Sequence, residues 1–426
     1  MQIALLLGLL LIMFLLGVAV PYSLGICAAA YMIIFQGTTF SLQIVAQKTI
    51  AGFTNFTLLA IPFFLLAGKL MNCGSITNRI FKFCNCLVGW IPGGLGHANV
   101  LASIVFAGMS GSAVADAAGL GTIEIKAMED EGFDTEFAAA VTAASSTVGP
   151  IIPPSIPLIM YGVTVGASIS KLLVSGVIPG LLMAISMSIM IFVFAKKRHY
   201  PQHPFPKGKE IWQNFKASFL SLLTPVILIG GILSGVFTAT EASAVAVLYA
   251  LILIMIVYRE ANLKDLWRVL GEVVAEDASI MLVVGTSTLF GFLLTKLQVP
   301  KMAGQLLTSI CSSKVGFILL VNLLFLIVGC FMETNAAILI LAPILLPVAQ
   351  SFGMTDIHFG LMMVLNLMLG LLTPPVGLVL YATARVSKIS FESMVKATAP
   401  FYIPLGASLL LVSFIPWLVE WLPSLM

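Results

Sequence analysis

The chain has 426 residues, of which 60% are hydrophobic and only 9% charged, with a formal net charge of +3. Soluble domains run at roughly 45–50% apolar residues, so the composition sets aside a soluble enzyme and gives no support to a nucleic-acid partner. It predicts an all-α polytopic membrane protein, because in lipid only helices and closed barrels satisfy their own backbone.

Taken in chain order, the first uncharged run (residues 3–20) has no basic segment before it, so it is read as a retained helix over 2–18 rather than a cleaved leader. Helices follow near 19–36 and 55–72. Residues 98–124 carry GMSGSAVAD (108–116), with Gly and Ser in the middle of an apolar stretch that looks too short for two crossings. This predicts a helical hairpin entering and leaving on one side, its tip taking Ser110, Gly111 and Ser112 to mid-membrane depth. MEDEGFDTE (128–136) reads as a solvated loop. A Pro-broken helix over about 135–166 contains GPIIPPSIPLIMYG (149–162), and a helix near 172–195 closes the first half.

The most basic stretch, KKRHYPQHPFPKGKEIWQNFK (196–216), then divides the chain. By the positive-inside rule the linker 199–217 lies in the cytoplasm. Helices are predicted beyond it near 218–236, 241–258 and 277–297, then a second hairpin near 316–350, a second broken helix near 357–384 and a last helix near 398–422. Glu241 falls at a helix start, where its charge suits the macrodipole.

Five crossings on each side of the linker make the second repeat, 218–426, inverted with respect to the first, 1–198. An independent check is internal. GLLTPPVGLVLYAT (370–383) aligns with 149–162 at an offset of 221, placing Gly149 on Gly370 and Pro153–Pro154 on Pro374–Pro375. The same offset lays GCFMETNAA (329–337) on GMSGSAVAD.

Proline removes a backbone donor and displaces the carbonyl four residues earlier, so paired prolines leave carbonyls without partners. In a membrane such backbone is tolerated only where protein or a polar cavity covers it, and there carbonyls take cations while half-helix N-termini take anions. The two matched breaks therefore predict symmetry-related ion sites. Hydroxyl and amide groups beside them, Ser110, Ser112, Ser155, Thr334 and Asn335, are candidate substrate ligands, since they hold an anion reversibly without a fixed charge. Glu333 comes from the second tip, and Asp116 is assigned a capping or hydrogen-bonding role in preference to ion ligation.

GMSG also matches the G-x-S-G of intramembrane serine proteases, but a hydrolase needs a histidine base in reach, and none of the four histidines falls at mid-helix. The six cysteines are scattered and read as free thiols. With no P-loop or H-E-x-x-H pattern, transport must draw on an ion gradient and no cofactor is expected.

Four ordered motifs, GGLGHANVLASIVFAGMSGSAVADAAGLG (93–121), VGPIIPPS (148–155), GVFTATEASAVAVLYAL (235–251) and GLLTPPVGLVLY (370–381), resemble the large membrane subunit of tripartite ATP-independent periplasmic (TRAP) transporters of the dicarboxylate/sialate type. The resemblance spans nearly the whole chain. It implies a multi-pass protein of the bacterial inner membrane, working as an elevator in which hairpins and broken helices slide against a scaffold. It further implies a small four-helix membrane subunit, a periplasmic substrate-binding protein that delivers a small organic anion, and Na+ as coupling ion. Carried over residue by residue, one sodium site uses Ser110, Gly149, Ile152 and Pro154. The other uses Gly329, Gly370, Thr373 and Val376. Family members that carry sialic acid place an arginine near the end of the helix before the second hairpin, where this chain has Lys296. Lysine keeps the charge but not the two-pronged carboxylate grip, which leaves other sugar acids and dicarboxylates open as substrates. The alternative within transport is a stand-alone ion-coupled anion transporter of related inverted-repeat architecture.

Overall fold

The computed structural model describes the backbone of residues 2–36, 38–311 and 313–426, and their side chains apart from those of residues 2–4, 15, 36, 38–41 and 108–110. The first half contains α1 (Gln2–Leu15), α2 (Val20–Gln36), α3 (Thr38–Phe53), a 3-10 turn (Phe56–Leu59), α4 (Ala60–Met71), α5 (Ile76–Val88), α6 (Gly94–Ser110), α7 (Ala113–Asp130), α8 (Thr135–Ser146), α9 (Ile156–Val165), α10 (Ile169–Ser175) and α11 (Val177–Arg198). The second contains α12 (Gly208–Leu233), α13 (Ala239–Leu251), which runs on as a π segment (Ile252–Val257), α14 (Leu263–Lys296) and α15 (Val299–Ile310). It continues with α16 (Lys314–Phe331), α17 (Thr334–Ser351), α18 (Asp356–Gly370), α19 (Leu378–Ser387), α20 (Phe391–Thr398), α21 (Tyr402–Phe414) and α22 (Trp417–Glu420).

The repeat is visible in these bounds. Both ends of α7 and α17 differ by 221 (334 less 113, 351 less 130), as do the starts of α8 and α18 (356 less 135). Among the described residues seven helices are long and apolar enough to cross a membrane, with an eighth if α3 and α4, bent by 55° across the 3-10 turn, count as one.

Several expectations are corrected. Helices α3, α5, α15 and α20 were not anticipated; α5, α15 and α20 are amphipathic, and α5 buries Ile76, Ile80, Phe81 and Cys84 at helical spacing. Helix α14 begins at Leu263 rather than 277, because Asn262 Oδ1 accepts from the Lys264 and Asp265 amides while Asp265 Oδ2 accepts from the Asn262 amide, a reciprocal cap. Helix α12 starts at Gly208, so much of the 199–217 linker is helical.

The remaining linker is pinned. Tyr200 stacks on Phe133 at 4.6 Å and its hydroxyl donates to Asp134 Oδ2 at 2.5 Å, and Arg198 Nη1 donates to the same oxygen at 2.9 Å. The 128–136 segment thus docks the linker instead of standing free in solvent.

The hairpin arms are also longer than expected. α6 has 17 residues and α7, α16 and α17 have 18 each, about 26 Å at 1.5 Å per residue. α16 and α17 each qualify as a span by length and composition, so shortness cannot make these pairs hairpins. The location of their turns does, as described below.

Two helices are apolar and buried on every face: α8 over Phe137–Ser146 and α18 over His358–Gly370. A helix hydrophobic all round belongs in the interior, and here each is wrapped by the hairpin of its own repeat, α8 by α6 and α7, α18 by α16 and α17. The second hairpin arms cross over: α17 packs on α9, and α7 on α19. Helix α14 lies against α2, α3, α4 and α17. On the periphery, Leu181, Ile185, Ile189 and Val193 recur every fourth residue along α11, all exposed, a stripe suited to lipid.

Candidate substrate and ion site

Each proline pair sits where its helix stops. The chain leaves α8 at Ser146 and restarts as α9 at Ile156; it leaves α18 at Gly370 and restarts as α19 at Leu378. The Pro153–Pro154 and Pro374–Pro375 bonds are both cis. Ser155 caps α9, its Oγ accepting from the Leu158 amide at 3.2 Å and donating to the Pro150 carbonyl. The hairpin tips are capped likewise: Ser112 Oγ accepts from the Ala115 amide at 3.4 Å, and Glu333 Oε2 from the Ala336 amide at 3.1 Å.

Tips and breaks meet. Gly111 turns the first tip in the left-handed region (φ +61), and a Cβ there would lie 2.9 Å from the Pro154 carbonyl oxygen. In the second repeat the Gly377 amide donates to the Cys330 carbonyl at 3.4 Å, and a Cβ on Gly370 would lie 2.5 Å from the Gly329 Cα. Both tips and both restarts line one cavity of about 460 Å³, through Ser112, Ile156, Glu333, Thr334, Asn335 and Leu378 among others. Its volume is in the range of small-molecule sites, roughly 300–1,000 Å³.

The consequence is electrostatic. Four helix N-termini, those of α7, α9, α17 and α19, open onto this cavity; their partial positive charge attracts anions and is opposed by the Glu276 and Glu333 carboxylates in the same lining, the first paired with Lys69 and the second capping α17. The ends of α6, α8, α16 and α18 just behind them turn carbonyls, the partial negative ends, toward the breaks. Among the described residues the carbonyls of Gly149, Ile152 and Pro154 accept no hydrogen bond, so their lone pairs are open to a cation. Thr373 Oγ1 gives its proton to the Leu369 carbonyl at 2.8 Å, which leaves its oxygen an acceptor. The break thus offers oxygen ligands on one side and N–H donors on the other.

The expected residues distribute unevenly. Ser112, Thr334 and Asn335 line the cavity, and Thr334, 3% exposed, keeps a buried hydroxyl with no partner among the described residues. Ser155 is fully buried, but its hydroxyl is committed to Pro150 and to capping. The side chain of Ser110 lies outside the described residues. Gly149, Ile152, Pro154, Gly370, Thr373 and Val376 form the two breaks, with Gly329 packed on Gly370. Lys296 is not brought to the cavity: it ends α14, whose lining residues Glu276, Ser279, Ile280 and Val283 lie at least 13 positions earlier, about 20 Å along the helix.

Glu276 and Ser279 were not anticipated. No local pattern marks them, but the i, i+3 spacing on a helix that crosses the cavity puts both on one face. Glu276 is held by Lys69 of α4 at 3.1 Å. Asp116, 4% exposed, places Oδ2 2.5 Å from where a Gly149 Cβ would stand, so Gly149 is the residue that lets the carboxylate approach the first break. Glu241 closes a capping box with Thr238. His358 Nε2 is bonded to the Val412 carbonyl at 2.9 Å.

Two hairpins and two interrupted helices that meet at one largely apolar cavity with a few convergent polar groups define the architecture of a membrane transporter. The chain superposes on the solved structure of the Alcanivorax borkumensis YdaH transporter with a TM-score of 0.65, at 13% identity and over 89% of either chain, which is a likeness of fold. The family described as "Tripartite ATP-independent periplasmic transporter, DctM component" matches residues 7–418, and the chain belongs to it. It is 45% identical over 409 residues to the sialic acid TRAP transporter large permease protein SiaM of Vibrio cholerae (96% of this chain, 95% of the relative). It is 38% identical over 403 residues to the 2,3-diketo-L-gulonate TRAP transporter large permease protein YiaN of Escherichia coli (95% and 94%). It is therefore a TRAP transporter large permease, a multi-pass protein of the bacterial inner membrane, and its family is one of transporters.

Proposed function

We propose that this permease couples inward movement of sodium to uptake of a small organic anion, a sugar acid, a sialate-like acid or a dicarboxylate, delivered by a periplasmic substrate-binding protein, and that a small four-helix subunit completes its membrane part. The observation that carries the reading is the convergence of four helix N-termini on one cavity, with carbonyl-rich helix ends immediately behind. Anion and cation would then sit on opposite faces of the same broken helices, so that occupancy of one favours the other. The hairpins and broken helices form the moving body, and α2, α3, α4, α13 and α14 the scaffold against which it slides. Relatives named for sialic acid and diketogulonate support the substrate class.

The test is uptake into liposomes containing the permease with its small subunit, supplied with binding protein and substrate. Two sodium ions moving with a monoanion carry one net positive charge inward, worth about 2.3 kcal/mol per 100 mV. An inside-negative potassium diffusion potential is expected to accelerate sodium-driven uptake of a monoanion and to leave uptake of a dianion unaffected. Uptake that ignores the sodium gradient refutes the coupling.

A further inference from the structure

We propose that a second cavity, of about 380 Å³ between α3, α9, α14 and α17, is a carboxylate site that holds the anion on the side of the membrane opposite the basic linker. The inference rests on organic-anion uptake and adds a place where the anion waits before reaching the convergence of helix N-termini.

The donors decide it. The hydroxyls of Thr164, Thr288 and Thr295 in this cavity already donate to the carbonyls of Met160, Val284 and Gly291 at 2.6, 2.8 and 2.9 Å, so they have no proton to offer. Three donors remain. Lys48 lies with its ammonium 4.7 Å from the centroid of the Phe292 ring and makes no ion pair among the described residues. Ser287 is 4% exposed, and its hydroxyl has no partner among the described residues, although buried hydroxyls ordinarily find one. Asn55 accepts from the Thr57 amide and hydroxyl through Oδ1, which leaves its amide N–H2 as the donor end. Among the described residues no carboxylate lines the cavity. An ammonium, a hydroxyl and an amide, with no competing anion, match a carboxylate and repel a cation.

The repeat supplies a contrast. At the displacement of 221 that relates the hairpins, Lys48, Ala51 and Asn55 correspond to Val269, Glu272 and Glu276, and all three of these line a cavity toward the other end of α14. There both lining cations are paired, Lys69 with Glu272 at 3.5 Å and Glu276 at 3.1 Å, and Arg268 with Asp265 at 3.5 Å. That mouth shares Glu276 with the central cavity and, by the orientation the basic linker sets, faces the cytoplasm. One repeat thus places a cation without an ion pair among the described residues where the other pairs its cations with acids, so an organic anion is held more strongly at the outer end than at the inner.

Lys48→Gln is the test, with N-acetylneuraminate, 2,3-diketo-L-gulonate and succinate as probes in the liposome assay. Loss of one charged hydrogen-bond donor is expected to raise the half-saturating concentration of whichever probe the unmodified permease takes up by about tenfold, with the maximal rate retained. Lys48→Arg should recover most of the loss, and Ser287→Ala should show a smaller loss. A second readout is independent of transport: in a Thr295→Cys background, modification by a membrane-impermeant maleimide added outside should be slowed by the probe, and Lys48→Gln should abolish that protection. Wild-type half-saturation in Lys48→Gln together with no protection overturns the site. If the unmodified permease takes up a probe but ignores the sodium gradient, the coupling fails instead, and the protection experiment still decides the site.

Discussion

Gly370→Ala probes the contact that sets the second tip in place. A Cβ at 370 would lie 2.5 Å from the Gly329 Cα and 2.6 Å from its carbonyl carbon, both backbone atoms, whereas ordinary contact begins at 3.4 Å. Relief demands that α16 and α18 separate by about 0.9 Å (3.4 less 2.5), since neither neighbour has a side chain that can rotate away. Overpacking of this kind costs about 1–3 kcal/mol. The larger effect is geometric. α16 ends two residues beyond Gly329 and carries Glu333, Thr334 and Asn335 into the cavity, and a misplacement of about 1 Å in a positioning element can cost roughly 100-fold in rate. The matched control is Gly230→Ala on α12, where an added Cβ has no atom within 4 Å. Uptake in liposomes and thermal stability of the purified complex are measured for both. The expected result is a loss of transport of at least tenfold with a fall in stability for Gly370→Ala, and neither for Gly230→Ala. Wild-type uptake by Gly370→Ala would show that the tip is not positioned by this helix crossing.

Thr373→Ala is expected to raise the sodium concentration for half-maximal uptake several-fold, and Thr373→Ser to preserve it, because the hydroxyl oxygen rather than the methyl group is the proposed ligand; a sodium titration distinguishes them. Ser155→Ala removes both the α9 cap and the donor to Pro150, a loss of about 1–2 kcal/mol that thermal unfolding should register in sodium-free buffer. At the base of α5, partial burial pushes the Glu260 carboxyl up, but donors from Ser75 and Arg79 outweigh it and leave its pKa below the ordinary glutamate value. The stabilisation is therefore present above the ordinary value, about 4.3, and is lost as pH falls through the folded one. Glu260→Gln should cost about 1 kcal/mol or less at neutral pH, as usual for a partly solvated pair, and should flatten the acid limb of the stability profile below the ordinary glutamate value.

Legibility in the sequence followed local chemistry. Paired prolines break a helix wherever they fall, and small polar residues between apolar runs make a turn, so GMSGSAVAD, METNAA and both Pro-Pro segments marked hairpins and breaks at a displacement that the helix bounds reproduce at α7/α17 and α8/α18. The amphipathic helices were missed although their signal was present: Ile76, Ile80, Phe81 and Cys84 repeat at helical spacing within a segment too polar to cross a membrane. The cap of Asn262 and Asp265 was equally readable and would have started α14 where it starts.

Other features depend on distance through space, which no run of residues encodes. Arm length did not distinguish a hairpin from two crossings, since 18 residues suffice for either; only the meeting of both tips with both breaks in one cavity decides it. Glu276 and Ser279 became cavity residues because α14 packs across the site, and Lys296 did not because it lies farther along the same helix. The sequence by itself determined where the backbone must break, because proline and glycine act on their own neighbours. Tertiary structure alone decided what those breaks face, because the partial charges of four helix ends sum into one site only when packing brings segments 221 residues apart to the same place.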